Sequence, residues 1–257
     1  VAKRKLGYIR DTVDHRDFTY PSKAPALAIT SVDLRAACPP VENQGNLGSC
    51  TAHGSTSAME FLYNKACKPI VQLSRLFVYY YTRVMIEGTA PNNDSGCQIR
   101  DVAKCLAGYG TCQEKMWPYL VSKFSKRPPV KATVDAMNNQ ILKYYRISPE
   151  ALTANCIACL NEGYPIVIGF SVPENMMSDD CAKTGVVNYP APNEKIVGGH
   201  CVLLVGYDSN KKLFIFRNSW GIGWGDKGYG YLPFEFSDKG LMSDCWTFRT
   251  EEMEKPL

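Results

Sequence analysis

Three residues of this 257-residue chain have the types required for acyl transfer through sulfur: Cys50, His200 and Asn218. A thiolate attacks a carbonyl carbon, an imidazole takes up and returns the proton, and a third group orients the imidazole by a hydrogen bond. Cys50 closes the segment VENQGNLGSC and is followed by Ala52, Met59, Leu62 and Ala66 at near-helical spacing, which predicts a helix from Cys50 to about Lys65, entered through Gly48-Ser49. At a helix start the unpaired backbone N–H groups and the positive end of the dipole favour the anion. With a protonated imidazole beside it, a thiol so placed falls to roughly 3.5–7.5, so Cys50 is expected to be charged at neutral pH.

Of the three histidines, His15 lies in an N-terminal leader and His53 one helical turn beyond the thiol. A residue three positions along a helix sits beside or behind its neighbour rather than across from it, so His53 is expected to pack or hydrogen-bond. His200 opens the apolar run of VGGHCVLLVGY and is the expected general base, facing Cys50 from another element. Asn218, in a turn after LFIFR, would orient that base, with Trp220 shielding the bond from water. Gln44, six residues ahead of the thiol on a glycine-rich turn, supplies an amide N–H that with the Cys50 N–H could stabilise an oxyanion.

The elements that must position these groups change character along the chain. Residues 1–31 show no clear period and read as an extended, unpacked N-terminal arm. Residues 32–130 carry helical patterns. Ser74 is the expected cap of RLFVYYYTRVMIE with Gly88 as its stop, and Ile99, Val102, Ala103, Leu106 and Ala107 mark a helix ending near Gly108. After Pro128-Pro129, read as a linker, residues 131–257 open with one more helix, capped by Ser148, begun at Pro149 and stopped at Gly163. They continue with PIVIGF, CVLLVGY, LFIFR and GYGYLP, short runs rich in β-branched and aromatic residues. The expected class is α+β, a helical lobe followed by a sheet lobe, with a cleft between them.

The ordered segments NQGNLGSC, GGHCVLLVGY and RNSWGIGWGDKGYGYL resemble the papain family of cysteine peptidases over roughly Asp33 to the mid-240s. The resemblance implies a papain-like two-lobe fold whose sheet lobe is barrel-like, Cys50 as nucleophile, His200 as base, Asn218 as orienting amide and Gln44 as oxyanion donor. Leu47 and Thr51 stand where most members have a cysteine and a tryptophan, so one familiar disulfide is absent. The stretch NDSGCQIRDVAKC looks like the microbial and viral branch, in which Ser95 and Gly96 would form a wall of the substrate groove. Gly199 and Trp220 would also line the groove, and Met242 or Asp244, in GLMSD, would form a pocket floor. No long histidine-bearing insertion follows Cys112, so an endopeptidase is expected. The leader is similar to the short extension of this branch, which leaves two readings open: a prosegment lying in the groove as an intramolecular inhibitor, making the chain a latent precursor, or an extension with a structural role only.

Composition excludes several other classes. The excess of four basic residues is dispersed, so no nucleic acid is expected as a partner, and no apolar run approaches the roughly 20 residues of a membrane span. No signal peptide is expected in VAKRKLGYIRD. Peptides or proteins are the expected substrates of a monomer. The odd count of 11 cysteines leaves at least one outside any intramolecular disulfide; Cys67, Cys97, Cys105 and Cys112 are candidates for pairing. Cys156 and Cys159 form a C-x-x-C inside a predicted helix with no second ligand pair, and neither a metal nor an organic cofactor is called for. The compartment stays open among secreted, lysosome-like and virion-associated sites.

Overall fold

A computed structural model describes residues 4–21, 29–68 and 71–250. In chain order the elements are β1 (Tyr8–Ile9), β2 (Ser31–Asp33), α1 (Cys50–Lys65), α2 (Arg75–Tyr81), β3 (Cys97–Gln98), α3 (Ile99–Gly108), α4 (Val130–Ala136) and β4 (Lys143–Arg146). There follow α5 (Leu152–Asn161), β5 (Ile166–Pro173), α6 (Asp179–Thr184), β6 (Ile196–Asp208), β7 (Leu213–Arg217), β8 (Tyr229–Pro233), α7 (Glu235–Asp238) and β9 (Met242–Arg249). The architecture is papain-like, with a helical lobe built on α1 to α3 and a sheet-rich lobe.

The sheet has the order β4-β9-β5-β6-β7-β8, with β2 added antiparallel to β6. Strand β6 is apolar on both faces because each face meets a core. Cys201, Leu203 and Val205 turn to α1, while Val202, Leu204 and Tyr207 pack with Phe170, Val172 and Phe216 on the other side. The period of two thus puts Cys201 against α1 and His200 on the opposite face. Helix α1 is buried along nearly its whole length, from Cys50 to Tyr63. Its small residues let β6 approach closely: a Cβ at Gly54 would stand 3.2 Å from the Cys201 Sγ.

Two ties hold α1 against its surroundings. Glu60 accepts from the Leu73 N–H at 2.7 Å and forms a buried ion pair with Arg75 at 2.6 Å. Arg217, the last residue of β7, donates to Ser57 Oγ on α1 at 2.6 Å. The strand end that precedes Asn218 is therefore fastened to the helix that carries Cys50.

Several expectations need correction. The N-terminal arm packs: Asp11 and Tyr20 are buried, and β1 pairs parallel with β3. Residues 1–3 and 22–28 of that arm lie outside the described residues. Ser148 does not cap α5. The helix begins at Leu152 after Ala151 in a left-handed conformation, and Asn155 Nδ2 holds the preceding loop through the carbonyls of Ser148 and Glu150 at 3.3 and 2.6 Å. Pro129 is followed at once by α4, whose residues Val130 and Val134 are exposed and apolar, which blurs the amphipathic pattern a surface helix normally shows. All eleven cysteines are free, so the candidate disulfides are not formed. Among the described residues no helix is long and apolar enough to cross a membrane.

Candidate active site

Cys50 opens α1, and the N-cap residue Ser49 makes no side-chain cap, which leaves the first-turn N–H groups free to face the sulfur. His200, on β6, is buried, and its Nε2 lies 2.8 Å from Asn218 Oδ1. The same oxygen accepts the Ser219 N–H at 2.8 Å. A backbone donor on that atom identifies it as the amide oxygen, so His200 Nε2 carries the proton and Nδ1 is the lone-pair nitrogen. Trp220 stacks on the imidazole at 4.7 Å and covers the His200–Asn218 bond. Gln44 is buried, its Oε1 accepting from Ser219 Oγ at 2.5 Å and its backbone N–H donating to the Ser219 carbonyl at 2.8 Å.

The N-terminal arm runs through this site. Gln44 Nε2 donates to the carbonyls of Lys5 and Leu47 at 3.0 and 2.9 Å. The Arg4 guanidinium lies 4.5 Å over Trp220, and Lys5 Nζ pairs with Asp94 at 2.6 Å. Gly7 turns its N–H to the Cys50 sulfur and gives its carbonyl to the Cys97 N–H at 2.9 Å. It fits only because it lacks a side chain; a Cβ would overlap the Gly48 carbonyl group outright. Farther along, Tyr8 reaches Asp244 and Ser243, and Asp11 is held by the Arg100 N–H at 3.1 Å and Trp246 Nε1 at 2.7 Å.

This cover changes the electrostatics expected from sequence. Burial pushes the Cys50 thiol up to about 11, although the N–H groups of Cys201, Gly7, Thr51 and Cys50 itself pull the other way. Burial, aided by the charge of Arg4, pushes His200 down to about 4 against the opposing effect of its Asn218 bond. With the arm in place burial disfavours both charged forms, the thiolate and the imidazolium, and so opposes the thiolate expected from the helix start. Among the described residues His200 Nδ1 has no hydrogen-bond partner, the Cys50 sulfur included.

Cys50, His200, Asn218 and Gln44 therefore converge on one site, with Trp220 beside them. Gly96 and Gly199 face the arm, and a Cβ at Gly199 would meet the Tyr8 carbonyl oxygen at 2.7 Å. Ser95 bonds to the Gly96 carbonyl at 2.9 Å, and Asp244 meets the arm directly. Met242 is buried in the sheet-lobe core, just ahead of the Ser243–Asp244 pair. His53 stands apart: its Nδ1 donates to the Ser49 carbonyl at 3.0 Å, and burial pushes it down to about 3. Cys156 and Cys159 are buried in the sheet-lobe core.

A sequence model described as papain family cysteine protease matches residues 28–247. The chain belongs to the papain family. As a papain-like cysteine peptidase it is a hydrolase, and its relatives are consistent with a microbial or viral branch. It is 36% identical to an uncharacterized peptidase C1-like protein of Acanthamoeba polyphaga mimivirus, over 99% of this chain and 89% of that one. Cysteine proteinase 1 of Entamoeba histolytica is 27% identical over 80% of this chain and 63% of its own length. Among solved structures, xylellain, a cysteine protease from Xylella fastidiosa, superposes with a TM-score of 0.87 at 36% identity, covering 96% of each chain.

Sequence reasoning missed Ser219 and the arm's docking residues. Ser219 follows Asn218 directly in RNSW, but nothing in the spacing reveals that its hydroxyl reaches back to Gln44. Gly7 is the one residue without a side chain in KRKLGYIR, a signal legible only once Gly48 and Gly96 are known to face it.

Proposed function

We propose that this papain-family peptidase is a cysteine endopeptidase held latent by its own N-terminal arm. When the arm leaves, His200 Nδ1 takes the Cys50 proton and the sulfur attacks the carbonyl carbon of a bound peptide. The Gln44 Nε2 and Cys50 backbone N–H groups receive the negative oxygen. The imidazolium returns its proton to the leaving amine, which departs as the C–N bond breaks and a thioester remains. Water, deprotonated by Nδ1, then attacks the thioester; the C–S bond breaks and the acid and the thiol are regenerated. Asn218 Oδ1 holds the Nε2 proton throughout, keeping Nδ1 aimed at the sulfur. Ser95, Gly96, Gly199 and Trp220 form the walls of the groove, and Asp244 closes a pocket in it.

The observation that carries the latent reading is the double occupation of the centre by the arm. The Lys5 carbonyl takes the Gln44 donor while the Gly7 N–H meets the sulfur. The arm thus engages the expected oxyanion donor and the sulfur together, where a substrate would have to sit. Gly7→Ala tests this directly, because a methyl group would overlap the Gly48 carbonyl group and cannot fit there. The variant should label at Cys50 with an epoxide thiol inhibitor, and hydrolyse peptides, at least tenfold faster than the parent chain. Equal rates would leave the arm a structural part only.

A further inference from the structure

The slot that receives Tyr8 is built from an irregular piece of sheet. Between Val167 and Gly169 the pairing of β5 with β9 slips: Gly169 lies opposite Ser243 but Val167 lies opposite Trp246, so β9 carries an extra residue. Asp244, within that bulge, has φ of +49°, a left-handed conformation that aspartate and asparagine tolerate better than most residues. The bulge breaks the alternation of faces, and two successive side chains, Ser243 and Asp244, turn to the same side. Both meet the Tyr8 hydroxyl, Ser243 Oγ at 2.8 Å and Asp244 Oδ2 at 2.5 Å.

The walls fit a flat ring. A Cβ on Gly169 would overlap the far end of the Tyr8 ring, and one on Gly199 would meet its Cδ1 at 2.8 Å. The base of the slot is also charge-balanced. Asp244 Oδ1 is paired with Arg146 at 3.0 Å, while Oδ2 is left for the phenol and for the Asp11 N–H at 2.8 Å. Departure of the arm removes Tyr8, Asp11 and Asp17 together, Asp17 being the other carboxylate on Arg146. Asp244 then keeps its arginine and has one oxygen open at the end of a glycine-walled slot. A lysine or arginine entering it would face Arg146; a phenylalanine would leave Asp244 Oδ2 buried and unpaired.

We propose that the groove selects substrates with a tyrosine at the residue entering this slot, Ser243 and Asp244 reading its hydroxyl and Gly169 and Gly199 admitting its ring. The inference rests on the groove being a peptidase substrate cleft, and Tyr8 occupies in the latent chain the place of the selected substrate side chain. A site built to bond a hydroxyl discriminates strongly against the analogue that lacks it.

Two measurements test this, one independent of turnover. In the full chain, Tyr8→Phe should loosen the arm and speed epoxide labelling of Cys50 about tenfold, the usual order for one hydrogen bond to a charged group; a rate within twofold of the parent overturns the proposal. In the Gly7→Ala chain, a fluorogenic tetrapeptide library scanned position by position should show one position at which tyrosine exceeds phenylalanine, leucine and arginine by about tenfold or more. Ser243→Ala and Asp244→Asn should each shrink that ratio, and Gly169→Ala should shift the preference to small aliphatic residues. Equal cleavage of tyrosine and phenylalanine peptides overturns the selection but leaves the peptidase reading intact. Failure to cleave any peptide removes that reading, and the Tyr8→Phe labelling rate then judges the slot alone.

Discussion

Ser219 donates its hydroxyl to Gln44 Oε1 at 2.5 Å while its backbone N–H donates to Asn218 Oδ1 at 2.8 Å. One residue thereby orients both Gln44, the proposed oxyanion donor, and the Asn218 amide that bonds to the imidazole. Removing the hydroxyl leaves Gln44 free to turn its N–H away from the oxyanion. Ser219→Ala, placed in the Gly7→Ala background, should lower kcat about tenfold, the scale of a lost supporting bond, with KM little changed. Steady-state kinetics on a fluorogenic peptide check this, and a loss confined to KM would assign Ser219 to substrate binding instead.

The proton balance of the docked arm fixes a pH dependence. Docking raises the Cys50 thiol to about 11 and lowers His200 to about 4, so over the range in which the released pair is thiolate and imidazolium, docking moves one proton from ring to sulfur and takes up none. Latency should be insensitive to pH on that account. Asp11 differs: burial first, and the charge of Asp244 second, push it up to about 6 against its bonds from Arg100 and Trp246. A carboxyl whose pKa rises on docking favours the docked form below its released value, near 4, and that contribution is lost as pH rises through about 6. The ratio of Cys50 labelling in Gly7→Ala to that in the parent should be several-fold larger at pH 5 than at pH 8. A ratio that grows toward pH 8 contradicts the assignment.

The helical lobe was largely legible because its signals are local. The helix from Cys50 to Lys65, the Ser74 cap, whose hydroxyl accepts from the Phe77 N–H at 3.2 Å, and the helix ending at Gly108 all follow from period and capping. The strands β5 to β8 were likewise readable as apolar runs. What failed depends on partners far away in sequence. The cap at Ser148 was lost to Asn155 folding back on the preceding loop. Strands β4 and β9 went unread because Lys143–Arg146 and Met242–Arg249 acquire their character only by pairing with each other and with β5. The arm illustrates the limit most clearly: its charged residues signal solvent, yet Asp11 and Arg100 are buried against each other across the groove.

His53 is the ring nearest to Cys50 in sequence, and its surroundings assign it to packing. Its Nδ1 is engaged with Ser49, its ring meets Tyr119 edge-on at 4.8 Å, and burial together with the charge of Arg75 keeps it neutral. A glutamine can replace the donor with a small loss of packing. His53→Gln in the Gly7→Ala background should keep kcat/KM within about tenfold of its parent. Complete loss of turnover with the fold intact by circular dichroism would make His53 part of the chemistry.

The Glu60–Arg75 pair sets the position of α1 from beneath, with side chains only 3% and 1% exposed. Arg75 also engages Glu42 and the Leu73 carbonyl, so it retains one counter-charge and one acceptor if Glu60 is lost. Glu60→Ala removes the acceptor of the Leu73 N–H as well. Breaking a buried pair from one side typically costs about 3–5 kcal/mol where the remaining charge is left uncompensated; Glu42 still faces Arg75 here, so the cost falls at the low end of that range and includes the orphaned Leu73 N–H. Glu60→Ala should therefore lower the urea midpoint by a large fraction of a small domain's total stability. Replacing the pair together, Glu60→Leu with Arg75→Met, should recover part of that loss, since apolar side chains of similar volume need no compensating charge. A double variant no more stable than Glu60→Ala would mean that Glu42 and the Leu73 N–H, rather than the pair itself, depend on these two side chains.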